Sequence, residues 1–136
     1  MKRRLLAAAA AILGILCTGC SAETADYRQI TMEEAAVWLE EEQDLVLLDV
    51  RTPEEYAEGH LPGAINLPNE TIGDEPPSVL PDFDQQILVY CRSGNRSKQA
   101  AQKLVQLGYT DVVEIGGILD WDGEVVTGEG DNITEE

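Results

Sequence analysis

Apolar residues in this chain gather into short runs set between polar, turn-rich segments. Beyond an N-terminal run, the pattern predicts strands over 27–30, 44–50, 63–68, 86–90 and 111–115. D-L-V-L-L-D-V at 44–50 is apolar throughout and bounded by charges, which suits a strand covered on both faces. The segments between carry helix start and stop signals. Thr31 with Glu34 forms a capping-box pattern that opens a helix over 31–42, with Ala35, Ala36, Trp38 and Leu39 available for its buried face. Pro53 suits the first turn of a second, short helix, with Glu54 and Glu55 near its positive end and Gly59 closing it. A third helix is expected over Asn95–Leu107, stopped by Gly108. Residues 69–85 hold three prolines and many acids and read as loop with at most a helical turn. G-G-I-L-D-W-D-G at 116–123 reads as a turn or short helix, and 127–136 as an acidic tail.

Short apolar strands alternating with helices predict an α/β fold: a five-stranded parallel sheet with helices on both faces. Ligands of such open sheets sit beyond the carboxyl ends of the strands. V-Y-C at 89–91, followed by a turn and a helix, puts Cys91 at such an end.

Residues 1–22 are laid out differently. Met1-Lys2-Arg3-Arg4 is a positive start, Leu5–Leu16 is an apolar run, and small residues follow, which is the layout of an export signal. The run is shorter than the roughly 20 residues of a membrane span, although the uncharged stretch continues to Ala22 and leaves an uncleaved anchor open. L-C-T-G-C-S-A at 16–22 resembles the lipobox of bacterial lipoproteins, in which cleavage precedes a cysteine that then carries a diacylglycerol. That resemblance implies a signal over 1–19, a lipidated Cys20 and a tether over 20–26. Cys17 departs from it, standing where the lipobox usually has leucine. The expectation is a domain held by lipid at the extracytoplasmic face of a bacterial membrane, with ordinary secretion as the rival. Cys91 is then the only thiol left, so no disulfide framework supports the fold. A free thiol in an oxidising compartment needs a purpose.

Charge narrows the partners. The formal net charge is -17, and loss of residues 1–19 removes Lys2, Arg3 and Arg4, leaving six basic residues against 26 acidic ones. Such a surface excludes nucleic acid and electrostatic binding to anionic lipid. Yet Arg92, Arg96 and Lys98 fall within seven positions directly after Cys91. If a strand ends near Tyr90 and a helix begins near Asn95, Cys91–Gly94 is a tight strand-to-helix loop. Gly94 can adopt positive φ, the loop aims backbone N–H groups at one spot, and the helix dipole adds positive charge there. That setting favours a thiolate. His60, the only histidine, lacks a second ligand at metal spacing, so no metal site is expected. A nucleophile in a nest of N–H groups does not require a histidine base either, and His60 reads as structural.

"DVRTPEEYAEGHLPGAINLP" at 49–68, "VYCRSGNRS" at 89–97 and "GGILDW" at 116–121 resemble, in order and spacing, three signature stretches of the rhodanese family of sulfurtransferases. The resemblance spans 27–126. It implies a rhodanese-like three-layer sandwich in one domain. Cys91 is then the nucleophile, taking sulfur from a small anionic donor such as thiosulfate, holding it as a persulfide and passing it to a thiophilic acceptor without a cofactor. The family's sulfurtransferases have a six-residue loop, here Cys91–Arg96, while its phosphatases and arsenate reductases have one residue more. The resemblance further implies that Arg92, Ser93, Gly94, Asn95, Arg96 and Ser97 bind the substrate. Arg96 closes the loop, braced by an acidic partner. Asp49, Arg51 and Glu55 are candidates for bracing the loop or lining the pocket mouth, with a scaffold role equally open. Trp121 and Gly116-Gly117 read as structural. A binding or redox-sensing module on the same fold is the alternative.

Overall fold

Each apolar run carries side chains for two faces, and the runs pair as one parallel sheet. The computed structural model describes residues 26–42 and 44–128. The proposed signal 1–19, Cys17, Cys20, the tether up to residue 25 and residues 129–136 of the tail lie outside the described residues. In chain order the elements are β1 (Arg28–Gln29), α1 (Met32–Glu41), β2 (Leu45–Asp49), α2 (Pro53–Glu58), β3 (Ile65–Asn66), β4 (Gln86–Cys91), α3 (Asn95–Leu107) and β5 (Val112–Gly117). The sheet order is β1-β5-β4-β2-β3, parallel throughout. Among the described residues no helix is long and apolar enough to cross a membrane.

Side chains alternate across each strand. On β4, Leu88 and Tyr90 join Met32, Ala35, Tyr56 and Val113 on the face covered by α1 and α2. Ile87, Val89 and Cys91 join Ala100, Ala101 and Leu104 on the α3 face. Cys91 therefore ends the central strand and faces the helix that follows it.

The predicted Thr31–Glu34 capping box opens α1, and a second, unpredicted box between Thr52 and Glu55 opens α2. Gly108 ends α3 in the left-handed conformation, as expected. Residues 69–71 form one 3-10 turn within the expected loop. The two edge strands are shorter than predicted, at two residues each. Strand β5 runs further than predicted: Gly116 and Gly117 extend it, and Gly117 pairs with Cys91 after an irregularity in the register. The turn falls instead at 118–120.

His60 is structural, as its sequence context suggested. Its Nδ1–H donates to the Tyr56 carbonyl at 2.7 Å, and its ring stacks on Tyr56 with centroids 3.6 Å apart. Its backbone exchanges two hydrogen bonds of 2.9 Å with Val126, and the Gly128 N–H reaches the Ala57 carbonyl at 2.9 Å. The chain is thus strapped across the end of α2 as far as residue 128.

Candidate active site

The loop after β4 folds back because Gly94 takes φ +109, a conformation only glycine adopts freely. Its N–H is thereby turned onto Cys91 Sγ at 3.0 Å. Of the loop amides expected to cradle sulfur, this is the one in contact with the thiol. Cys91 is only 1% exposed, and Ser97 Oγ lies 3.4 Å from its sulfur. The loop is pinned from behind. The Arg92 carbonyl accepts the Leu119 N–H at 3.2 Å, and Gly117 lies so close that a Cβ there would come 2.0 Å from that same oxygen. Gly117 is therefore needed for close backbone approach, a reason its sequence did not reveal.

Arg96 closes the loop and finds the acidic partner expected of it. Its two guanidinium nitrogens grip Glu55 at 2.8 and 3.1 Å. Glu55 also caps α2 through the Thr52 N–H at 3.0 Å, so one carboxylate ties the start of α2 to the start of α3. The Arg96 hydrogen bonds hold the Glu55 carboxyl down at about 2, against the opposing effect of burial and with help from the Thr52 amide. Glu55 in turn raises the proton affinity of Arg96 against burial, and charge on Cys91 adds to it. Arg96 is thus a brace whose charge is already matched. Arg92 and Lys98 are exposed and make no ion pair among the described residues. They supply the free positive charge near the thiol. Ser93 and Asn95 are also exposed, and Gly94 and Ser97 are buried.

Asp49 and Arg51 are not among the residues that line the cleft beside the loop, and neither makes a side-chain hydrogen bond or ion pair to loop 91–96. They form a buried ion pair of 2.7 Å. Arg51 also donates to the Gly59 carbonyl at 2.6 Å, and the Tyr90 hydroxyl donates to Asp49 at 2.7 Å. Burial and the Asp49 charge keep that phenol protonated far above its ordinary range. The pair locks the carboxyl end of β2 to α2 and to the residue before Cys91. Both side chains are buried, and the Arg51 guanidinium is taken up by Asp49 and the Gly59 carbonyl rather than by the loop.

A cleft of about 980 Å³ opens beside the loop, bordered by Ser93, Gly94, Lys98, Met32, Leu61 and Trp121. Trp121 both lines it and donates its Nε1–H to the Glu124 carbonyl at 2.8 Å. Glu114, which the sequence reading passed over, is buried on β5 and accepts the Ser97 hydroxyl. Its signal was present as the one acid inside the apolar strand V-V-E-I, where a charge needs a partner.

Known proteins resemble this chain in sequence and in fold. The rhodanese-like domain model matches residues 31–124. The thiosulfate sulfurtransferase PspE of Escherichia coli K12 is 40% identical over 73 residues, covering 54% of this chain and 70% of that protein. A sulfurtransferase of Allochromatium vinosum is 39% identical over 94 residues, covering 68% of this chain and 86% of that protein. The solved structure of a rhodanese with anions from E. coli superposes with a TM-score of 0.56 at 37% identity, covering 61% of this chain and 98% of its own. Likeness of sequence and of backbone thus agree, and the chain belongs to the rhodanese-like domain family.

Proposed function

We propose that this rhodanese-type sulfurtransferase moves a sulfane sulfur through a persulfide on Cys91. The Cys91 thiolate attacks the outer sulfur of a small anionic donor such as thiosulfate. A new S–S bond forms as the old one breaks, and sulfite leaves with the bonding electron pair. A thiophilic acceptor then attacks the outer sulfur of the persulfide, and Cys91 departs as thiolate. Donor, persulfide and sulfite are all anionic, so one set of positive groups serves each step.

The observation that carries the reading is the Gly94 N–H held 3.0 Å from Sγ within a six-residue loop closed by Arg96 on Glu55. It provides a fixed donor where negative sulfur develops, with no reorganisation needed. The anions in the E. coli rhodanese structure and the thiosulfate activity named for PspE support an anionic donor. Arg92 is proposed to meet that donor, and Ser93 to Ser97 to surround the transferred sulfur. Export and lipid anchoring at Cys20 are proposed with it, supported by the sequence of residues 1–22.

Intact-protein mass spectrometry tests the cycle. Incubation with excess thiosulfate should add one sulfur to Cys91, and cyanide should remove it. Cys91→Ala should keep the fold and gain no sulfur. A folded, reduced protein that gains none would move the redox-sensing or binding role to first place.

A further inference from the structure

Glu114 is a carboxylate buried to 2% exposure with no cation beside it among the described residues. Three donors satisfy it: Gln29 Nε2 on Oε1 at 3.1 Å, the Gly116 N–H on Oε2 at 3.0 Å, and the Ser97 hydroxyl on Oε2. Ser97 Oγ also lies 3.1 Å from the Gly94 carbonyl, 3.4 Å from the Gly116 carbonyl and 3.4 Å from Cys91 Sγ. A serine hydroxyl has one hydrogen to give. An ionised carboxylate takes it in preference to a neutral carbonyl, because charge-assisted bonds are about twice as strong.

We infer that Glu114 is a positioning residue for Cys91. By taking the Ser97 hydrogen it turns an oxygen lone pair toward Sγ, so Ser97 accepts the S–H of the resting thiol instead of donating to the thiolate. The inference rests on Cys91 being the reacting sulfur. Its consequence is a bias between states of the cycle. A bare thiolate on Sγ faces a lone pair and, behind it, a carboxylate. In the persulfide the negative charge sits on the outer sulfur, one bond farther away, and the opposition weakens. Glu114 thereby favours the sulfur-loaded enzyme over the naked thiolate.

Other charged and titratable groups stand around the pair on several elements. The phenol of Tyr27, next to β1, feels the Glu114 charge, and Arg96 of α3 feels charge on Cys91. The cleft that Glu114 borders is also lined by Glu33 and Glu40 of α1, Lys98 of α3 and, after β5, Asp120, Asp122 and Glu124. Glu114→Gln leaves all of them in place, keeps an acceptor oxygen for Ser97 and Gly116, and sets its NH2 against Gln29, whose own amide can turn to accept it, so the charge is the main loss.

The test is the pH profile of Cys91 alkylation by iodoacetamide in the full chain, read on the Cys91 peptide by mass spectrometry. Glu114→Gln should lower the midpoint by about one unit, a tenfold rise in reactivity below it. Ser97→Ala should leave the midpoint unchanged or lower it, since Ser97 gives the thiolate no hydrogen. A Glu114→Gln midpoint unmoved or raised overturns the inference. So does a Ser97→Ala midpoint raised by a unit, and that variant decides alone if Glu114→Gln does not fold. Neither measurement needs a sulfur donor, so failure here is distinct from failure of the persulfide cycle.

Discussion

Replacing Gly117 by alanine adds one methyl group and should disable the enzyme. The backbone at Gly117 is ordinary extended chain, φ -132 and ψ 156, so alanine meets no conformational penalty there. The penalty is steric. The new Cβ would stand 2.0 Å from the Arg92 carbonyl oxygen, 2.4 Å from its carbon and 2.6 Å from Ser93 Cα, where ordinary contact begins at 3.4 Å. All three are backbone atoms of the reactive loop, so no side-chain rotation relieves the clash. The loop must move outward by about 1 Å, a misplacement that costs on the order of 100-fold in kcat/KM. Overpacking of this kind also costs about 2 kcal/mol of stability, or roughly 10 °C in Tm for a domain of this size. The assay is thiocyanate formation from thiosulfate and cyanide beside a thermal melt. Gly116→Ala is the control. Nothing lies within 4 Å of its added Cβ, but its φ of +95 strains any other residue by about 1–3 kcal/mol. That variant should lose stability while keeping most of its activity per folded molecule. Gly117→Ala with activity within about threefold of the natural protein would refute the steric reasoning.

Four further outcomes are expected. Glu55→Gln should cost about 1 kcal/mol at pH 7 and reduce sulfur transfer by freeing Arg96. Because the folded-state value of Glu55 is about 2 against an ordinary 4.5, its contribution is complete above about pH 4.5 and is lost as pH falls toward 2. The stability gap to the variant should therefore close in acid, and a gap constant from pH 7 to 2 contradicts the assignment. Asp49→Ala leaves Arg51 buried without its partner and should destabilise by about 3–5 kcal/mol in urea titration; a loss under about 1 kcal/mol would mean the pair is replaceable. Arg92→Ala should lower kcat/KM for thiosulfate about tenfold while sparing uncharged donors, and equal loss for both would remove its electrostatic role. Cys20→Ser should release the protein from membranes, and unchanged partitioning would speak for an uncleaved anchor.

Among the described residues, the alternation of runs and caps was enough to place all five strands and three α-helices, because burial on two faces imposes a composition that survives in one dimension. It was also enough to put Cys91 at a strand end. Long-range pairing was less visible. Arg96 and Glu55 are 41 residues apart, and the likeness to a family suggested a brace where spacing alone could not. For Asp49 and Arg51, bracing, lining the pocket mouth and a scaffold role all stay open in the sequence, because a D-x-R pattern does not say whether the arginine folds back on its neighbour or reaches outward. Glu114 went unremarked because an acid is ordinarily at home in water; only β1 and α3, closing on it through Gln29 and Ser97, make its charge matter. The edge strands β1 and β3 proved short because an edge has one neighbour to extend it, and that neighbour's register is a property of the assembled sheet.

The strap over α2 separates two ideas of where a domain stops. The match to the family's domain model ends at residue 124, whereas the backbone ladder between His60 and Val126 and the Gly128–Ala57 bond reach beyond it. A Cβ on Gly59 would come within 2.8 Å of Val125, so this crossing is also fitted to the helix end it covers. That same helix receives Arg51 at the Gly59 carbonyl and, in its first turn, holds the carboxylate that grips Arg96. A protein trimmed to the family boundary would unlatch at His60, and the amide of that residue would exchange with solvent long before the reactive loop registered any loss.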